Sequence, residues 1–385
     1  MHLILWAEDA ETELRAEVAQ SLPSARVRPQ APALLELEFE LRPHDPLPHL
    51  AFCRQFLPDV REVRADSIRA WTAAVFPALV QLVPEGHPWS LHVVPHYGER
   101  TEHHIGARAW HSLKHRTGRL APPPRGQTSP DAGQHRCRLI REAMVDLLRQ
   151  KRRHLLRHLR PEPVPFTPHD SLVQLLLTRP NHGFLSVAQA PLPFAQRHLL
   201  SLFPKGDVPA ASDKQAPSRA FNKLVEAEAR LGRAIQRGET CVDLGAAPGS
   251  WTYVALNRGA QVTAVDRSPL RDDLMDHPGL RFLRGDAFQF EPRQSVDWLL
   301  CDVIAPPERS AELLLGWLQK RWCRHFVVTL KLKDASAGAL LPRLKQNLPP
   351  LTHLLFLTRL SANKKELCAF GHAAGRPDSL RPDAF

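Results

Sequence analysis

The sequence predicts an α/β fold whose second half is a doubly wound, mostly parallel sheet, and three observations carry that expectation. Beyond residue 215, apolar strand-like runs alternate with helical stretches, the pattern of a parallel sheet covered on both faces. The run Cys241-Val-Asp-Leu-Gly-Ala-Ala-Pro-Gly-Ser-Trp251 passes from a strand, through a turn carrying Gly245 and Gly249, into a helix. A glycine turn at that point lets backbone approach a ligand closely. Finally, Asp266, Asp286 and Asp302 each follow a strand-like run, and open α/β sheets bind ligands outside the carboxyl ends of their strands.

Taken in order, Leu3–Trp6 reads as a strand, Glu11–Ala19 as a helix with Leu14 and Val18 on one face, and Leu34–Phe39 as a half-buried strand. Pro43–Pro48 marks a turn. This opening reads as a small βαβ-type unit over 1–68, of ferredoxin-like α+β character. Asp66–Leu82 is expected to be helical around Trp71, Val75 and Leu79, with a kink at Pro77. Trp89–Pro95 is a strand candidate, Leu120–Asp131 a Pro- and Gly-bearing loop, and Gln134–Leu159 a long helix with Ile140, Met144, Leu147 and Leu148 inward. Pro161, Pro163, Pro165 and Pro168 end it, and Leu172–Thr178 and Phe184–Val187 follow as strands. Residues 69–204 thus form a second α+β domain. Lys205–Gln215 suits a linker, so the third domain is 205–385. There the helices are Phe221–Ile235, Trp251–Asn257 and Glu308–Lys320. The strands are Thr240–Leu244, Val262–Val265, Leu280–Leu283, Val296–Cys301, Phe326–Leu332 and Leu354–Leu357. The tail Gly375–Phe385 is expected to be mobile.

Composition narrows the function classes. The net charge of +11 is uneven: −5 over residues 1–100, +10 over 101–200 and +6 over 201–385. A concentrated basic surface is the usual footprint of a polyanion, most often nucleic acid, although a solvated basic face gives the same count. The six cysteines (Cys53, Cys137, Cys241, Cys301, Cys323, Cys368) form no C-x-x-C pair, which fits a reduced, cytoplasmic setting. His103-His104 has no Cys/His partner at finger spacing, so no metal is expected. No signal peptide and no apolar run of roughly 18 residues is visible, so no membrane partner is expected.

Around the glycine turn the residues compose a nucleoside site. Asp266 lies roughly 20 residues beyond the turn, where an acid meets ribose hydroxyls. Asp286, in LRGDAF, is placed to take the exocyclic amine of an adenine, and Asp302 ends VDWLLCD.

DLGAAPGSWT resembles the first motif of the S-adenosylmethionine-dependent methyltransferases of the FtsJ-like ribose 2′-O class, usually D-L-G-x-x-P-G-G. Ser250 replaces the second paired glycine. PSRAFNKLVEA at 217–227 is similar to that class's S-R-x-x-x-K-L-x-E stretch. CD at 301–302, TLKL at 329–332 and KKEL at 364–367 complete the series. The resemblance implies a Rossmann-like domain and a catalytic tetrad of Lys223, Asp302, Lys331 and Glu366. It further implies S-adenosyl-L-methionine held by Ser218, Asp243, Gly245, Ala247, Pro248, Gly249, Ser250, Trp251, Asp266, Asp286 and Asp302.

A ribose hydroxyl attacks a sulfonium methyl only as its proton is removed. Lys331 is the expected base: burial, Lys223 and the sulfonium lower its pKa, while Asp302 and Glu366 raise it. The bland alternative places Lys331 and Lys333 on an edge strand as a guard against pairing. Two other methylation chemistries fit less well. Asp302 is followed by Val303-Ile304-Ala305, with Pro306-Pro307 displaced from where base-amine methylation needs them, and Cys301 sits in a strand and reads as core.

The opening LILWAEDAETELRAEVAQ resembles the start of the ribosomal RNA 2′-O-methyltransferase M family. That family sets an N-terminal unit and a THUMP RNA-binding domain ahead of an FtsJ-like catalytic domain, which implies a THUMP-like basic RNA-binding domain at 69–204 and an FtsJ-like methyltransferase domain at 205–385. It implies methylation of a cytidine ribose in 23S ribosomal RNA, before full subunit assembly, by a monomer. Two alternatives stay open: methylation of another RNA such as tRNA, or a non-catalytic RNA-binding or ribosome-assembly factor on the same fold.

Overall fold

A computed structural model describes residues 1–6, 10–42, 45, 47–97, 132–161, 169–192, 194–201, 203–208, 211–332, 337–362 and 366–375. The expected loop at Leu120–Asp131, the pair His103-His104, Pro163, Pro165, Pro168, Lys333 and the tail beyond Gly375 lie outside them. The chain divides into two compact units, Met1–Pro209 and Ala210–Phe385.

The first unit holds two sheets. β1 (His2–Trp6), β2 (Arg26–Ala31), β3 (Leu34–Glu38) and β4 (Cys53–Leu57) form an antiparallel sheet in the order β2-β3-β1-β4, with α1 (Glu11–Ser21) after β1. β1 and β2 run the same way with β3 between them, so the expected βαβ unit is a split one, in ferredoxin-like order. The sequence reading omits β2 and β4. RVRPQA is an exposed edge strand with charge and proline where apolar alternation would signal a strand.

β5 (Arg61–Arg64), β6 (Trp89–Pro95), β7 (Ser171–Arg179) and β8 (His182–Ala188) make the second sheet, ordered β5-β8-β7-β6, with only β6 and β7 parallel. α2 (Ile68–Leu82) starts at Ser67, whose hydroxyl accepts from the Ala70 N–H at 3.1 Å. It packs Trp71, Val75 and Leu79 against Cys137, Ile140, Met144 and Leu148 of α3 (Ala132–Lys151). The expected helix to Leu159 breaks at Arg152, and a short helix follows at Arg153–Arg157. The break turns Leu155 into the core, where its carbonyl accepts the Trp89 indole N–H at 2.8 Å. The two sheets share a core in which Leu3, Leu5, Leu34 and Leu57 meet Leu176 and Phe184.

The second unit is a seven-stranded sheet. Its strands are β9 (Thr240–Leu244), β10 (Gln261–Asp266), β11 (Leu280–Arg284), β12 (Val296–Cys301), β13 (Cys323–Lys331), β14 (Thr352–Thr358) and β15 (Glu366–Ala373), in the order β11-β10-β9-β12-β13-β15-β14. The first five are parallel, and β15 inserts antiparallel between β13 and β14. This is the expected mostly parallel α/β sheet, with one strand, β15, unread in the sequence. α4 (Phe221–Leu231), α5 (Ser250–Asn257), α6 (Pro307–Gln319) and α7 (Ala337–Asn347) accompany it. Trp298, Leu300, Val327 and Phe370 form the sheet's side of the core, and Leu224, Trp251 and Ala255 the helical side. No helix among the described residues is long and apolar enough to cross a membrane.

Candidate active site

Because β9 to β13 are parallel, their carboxyl ends share one edge, and antiparallel β15 brings its first residue, Glu366, to the same edge. The glycine turn, Asp266, Asp302, Lys331 and Glu366 therefore converge from segments more than a hundred residues apart in sequence.

The turn after β9 is held by the chain itself. Gly245 and Gly249 have φ of +74° and +106°, a region that side chains disfavour. At each, the space a Cβ would take is held by the protein, 2.5 Å from Val303 Cγ2 at Gly245 and from Leu274 Cδ1 at Gly249. The glycines thus serve turn conformation and internal packing. Asp266 reaches back from β10: its carboxylate accepts from the Ala247 N–H at 3.1 Å and from the Ser268 N–H at 2.8 Å. Each oxygen keeps a lone pair for a further donor. Asp286 caps a short turn by accepting from the Phe288 N–H at 2.9 Å and pairs with Arg267 at 2.7 Å. The amide and the guanidinium together hold its carboxyl below the usual range.

Ser250, the irregular position of the motif, opens α5 and is buried. Its hydroxyl meets that of Ser218 at 2.7 Å, and the Trp251 indole donates to the Ala220 carbonyl at 2.9 Å. Two hydrogen bonds therefore tie the segment ahead of α4 to the start of α5. Pro248 follows Ala247 in the same turn. Asp243 is fully buried beneath it and accepts from the Thr252 hydroxyl at 2.6 Å; burial raises its pKa to about 7 against that hydrogen bond.

The four residues of the tetrad close into a ring of alternating charge. Lys223 Nζ lies 3.2 and 3.1 Å from the two Asp302 oxygens and 2.6 Å from Glu366 Oε1. Lys331 Nζ donates to Asp302 Oδ1 at 2.6 Å and to Glu366 Oε2. Side-chain exposure runs from 9% at Glu366 to 19% at Lys331, so the ring is shielded yet open enough for a reacting group to reach Lys331. Two ammonium groups against two carboxylates leave no net charge to bury, which limits a large desolvation cost. Burial acts to raise the Asp302 pKa, but Lys331 and Lys223 bring it below the usual carboxylate range. Burial acts to lower that of Lys331, but Asp302 and Glu366 outweigh it and the net direction is up. These two carboxylates favour the ammonium form of Lys331, which differs from a base poised near neutrality.

Lys331 sits on β13, between β12 and β15, and not on an edge. The edge-guard reading of Lys331 therefore falls, because its strand has both neighbours. Thr329, two residues earlier on the same strand face, donates its hydroxyl to Asp302 Oδ1 at 2.6 Å and is fully buried. The sequence reading missed it, although the period-two spacing in TLKL carries the signal. All six cysteines are buried free thiols; burial pushes Cys301 up to about 12, which suits core and not nucleophile. No cluster of metal-binding side chains occurs among the described residues.

Residues 216–332 match the family described as FtsJ-like methyltransferase. The chain is 46% identical over 133 residues to "Ribosomal RNA large subunit methyltransferase M" of Halorhodospira halophila (strain DSM 244 / SL1), covering 34% of this chain and 39% of that protein. It is 38% identical over 181 residues to the protein of the same name from Stutzerimonas stutzeri (strain A1501), covering 46% of this chain and 50% of that one. The matched stretches thus span half or less of these relatives. Among solved structures, TrmN from Thermus thermophilus aligns with 96% of this chain and 99% of its own at 17% identity, with a TM-score of 0.30 that carries no argument.

Proposed function

Taking the FtsJ-like methyltransferase domain over residues 216–332 as premise, we propose that this chain is an S-adenosylmethionine-dependent ribose 2′-O-methyltransferase of large-subunit (23S) ribosomal RNA. The observation that carries the reading is the closed ring of Lys223, Asp302, Lys331 and Glu366 at the carboxyl edge of the sheet. The 23S substrate and the cytidine target come from the resemblance to the ribosomal RNA 2′-O-methyltransferase M family. The basic excess over residues 101–200 supports an RNA partner, since phosphate contacts give affinity without sequence readout.

The residues around the turn fit the cofactor. Asp266 retains acceptor capacity for two ribose hydroxyls, and Asp286, held ionised, is an acceptor for an adenine amine. Gly245, Ala247, Pro248, Gly249, Ser250 and Trp251 shape the turn, Asp243 supports it from below, and Ser218 fastens the adjoining segment over Ser250. When bound, the cofactor supplies an electrophilic methyl on a positive sulfur.

Lys331 is the group that takes the ribose hydroxyl proton. It must first give up its own ammonium proton to water, and a second positive charge nearby together with exclusion of water favours that loss. Asp302 and Glu366 fix the Nζ position from two sides, and Lys223 holds both carboxylates in place. The rest of the rate enhancement comes from holding hydroxyl and methyl in line.

Replacing Lys331 by Ala tests the reading: methyl transfer should vanish while cofactor affinity, measured by titration calorimetry, stays. A K331A chain that methylates RNA at the normal rate removes the base assignment. A non-catalytic assembly factor has no use for Lys331 against two carboxylates. Absence of cofactor binding would favour that alternative.

A further inference from the structure

We propose that Glu226 is a positioning residue for the tetrad, fixing the turn that leads into Glu366 and so holding that carboxylate against Lys223 and Lys331. The catalytic meaning of this role rests on the functional reading above; the geometry does not.

Glu226 lies on α4, one turn beyond Lys223, and both side chains are buried. Its Oε1 accepts from the Ser361 N–H at 2.9 Å, and its Oε2 from the Ala362 N–H at 3.3 Å. Arg230, also buried, donates its Nε to Oε1 at 3.0 Å. Ser361 and Ala362 follow Leu360, which is 2% exposed in the core, and stand shortly ahead of Glu366 in the connection from β14 to β15. The same helix therefore grips this hairpin twice: through Glu226 at its turn, and through Lys223 at Glu366 Oε1, 2.6 Å away.

The two grips are not equivalent. A backbone N–H to carboxylate bond is charge-assisted and directional, so it fixes the main chain of the turn. The Lys223 contact ends on a flexible four-carbon stem, which follows the carboxylate wherever the turn places it. Asp302 is set by β12 and by the Thr329 hydroxyl on β13, neither of which depends on this turn. Loss of the Glu226 carboxylate should therefore act selectively. Contacts of both lysines with Glu366 loosen, and their contacts with Asp302 persist.

The test uses the full chain carrying Glu226→Gln, with isotope-labelled lysine. In the wild type the ammonium groups of Lys223 and Lys331, each held by two carboxylates, should exchange slowly and give resolved proton–nitrogen correlation signals. In the folded E226Q chain both signals should shift and broaden. The methylation kcat should fall about tenfold with KM for RNA unchanged, because small misplacement of a reacting group has effects of that order or more. The double variant E226Q/R230M, which removes the buried cation together with the carboxylate it meets, is read beside it as a check on folding. A folded variant whose two lysine signals superimpose on those of the wild type overturns the proposal. Shifted signals in a chain whose wild type transfers no methyl group would sustain the positioning role and count against the functional reading alone.

Discussion

Lys331 and Glu366 are direct register partners across the antiparallel β13–β15 pair, and the Lys331 ammonium donates to the Glu366 carboxylate as well as to Asp302. Strand pairing thus brings the main chains of base candidate and carboxylate side by side. Asp302, and after it Glu366, outweigh burial and favour the ammonium form of Lys331. It follows that kcat/KM for methyl transfer should rise with pH, about tenfold per unit over roughly pH 6 to 9, because only the neutral amine accepts a proton. The measurement is kcat/KM for RNA against pH, which reports the free chain; a flat profile would exclude Lys331 as the base.

Thr329 offers a conservative probe of the tetrad. Thr329→Val keeps the shape of a fully buried strand residue and removes one donor from Asp302. The Asp302 carboxylate, still paired with both lysines, gains freedom, so kcat should fall by about tenfold and stability by about 1–3 kcal/mol. Thermal unfolding and single-turnover kinetics separate the two effects.

At the glycine turn, Gly249→Ala must take φ of +106° and place a Cβ 2.5 Å from Leu274. Strain of this kind costs about 1–3 kcal/mol, and the turn should lose cofactor affinity at least as strongly as stability. Ser250→Gly is the milder partner experiment. It removes the hydroxyl that meets Ser218 and restores the residue usual at that point in the resembling motif, so cofactor affinity should change by about threefold or less, in line with a net hydrogen-bond contribution of about 1 kcal/mol. Calorimetric titration with S-adenosylmethionine reads both.

Asp243 makes a pH prediction for stability. Burial raises its folded pKa from 3.8 to about 7, so across that range the folded chain holds a proton that the unfolded chain has released. Its stabilising contribution is complete at pH below the unfolded value and is lost as pH rises through the folded one. Chemical denaturation of the wild type and of Asp243→Asn over that window should show a smaller decline with pH in the variant. Equal slopes would mean that Asp243 is ionised in the folded chain.

Much of the catalytic half was legible because its signals are local. The turn from Leu244 to Ser250 has a fixed residue pattern, and strands β9 to β13 are apolar runs bounded by polar residues. What escaped has a physical reason in each case. β15 carries Gly371 and His372 inside a short apolar run, which blurs its strand pattern, yet its antiparallel insertion is what delivers Glu366 to the site. Thr329 and Glu226 stand at motif positions in TLKL and in PSRAFNKLVEA, but their roles follow only from tertiary packing, which gives them Asp302 and the Ser361–Ala362 amides as partners. The ionisation of Lys331 depended on the balance between burial and two carboxylates, which spacing in a sequence does not weigh. In the first unit, β2 and β5 are exposed edge strands rich in charge, β4 interrupts its buried run with Arg54 and Gln55, and the break at Arg152 accompanies a tertiary hydrogen bond from Trp89 to Leu155.

We propose that Lys331 and its three partners direct a methyl group to a ribose hydroxyl. The most direct measurement incubates the full chain with 23S ribosomal RNA and isotope-labelled S-adenosylmethionine, digests the RNA to nucleosides and identifies the labelled one by mass spectrometry. The account predicts label in a 2′-O-methylated nucleoside, a cytidine on the resemblance, and none with K331A. Label on a base, or in the K331A sample, would contradict it.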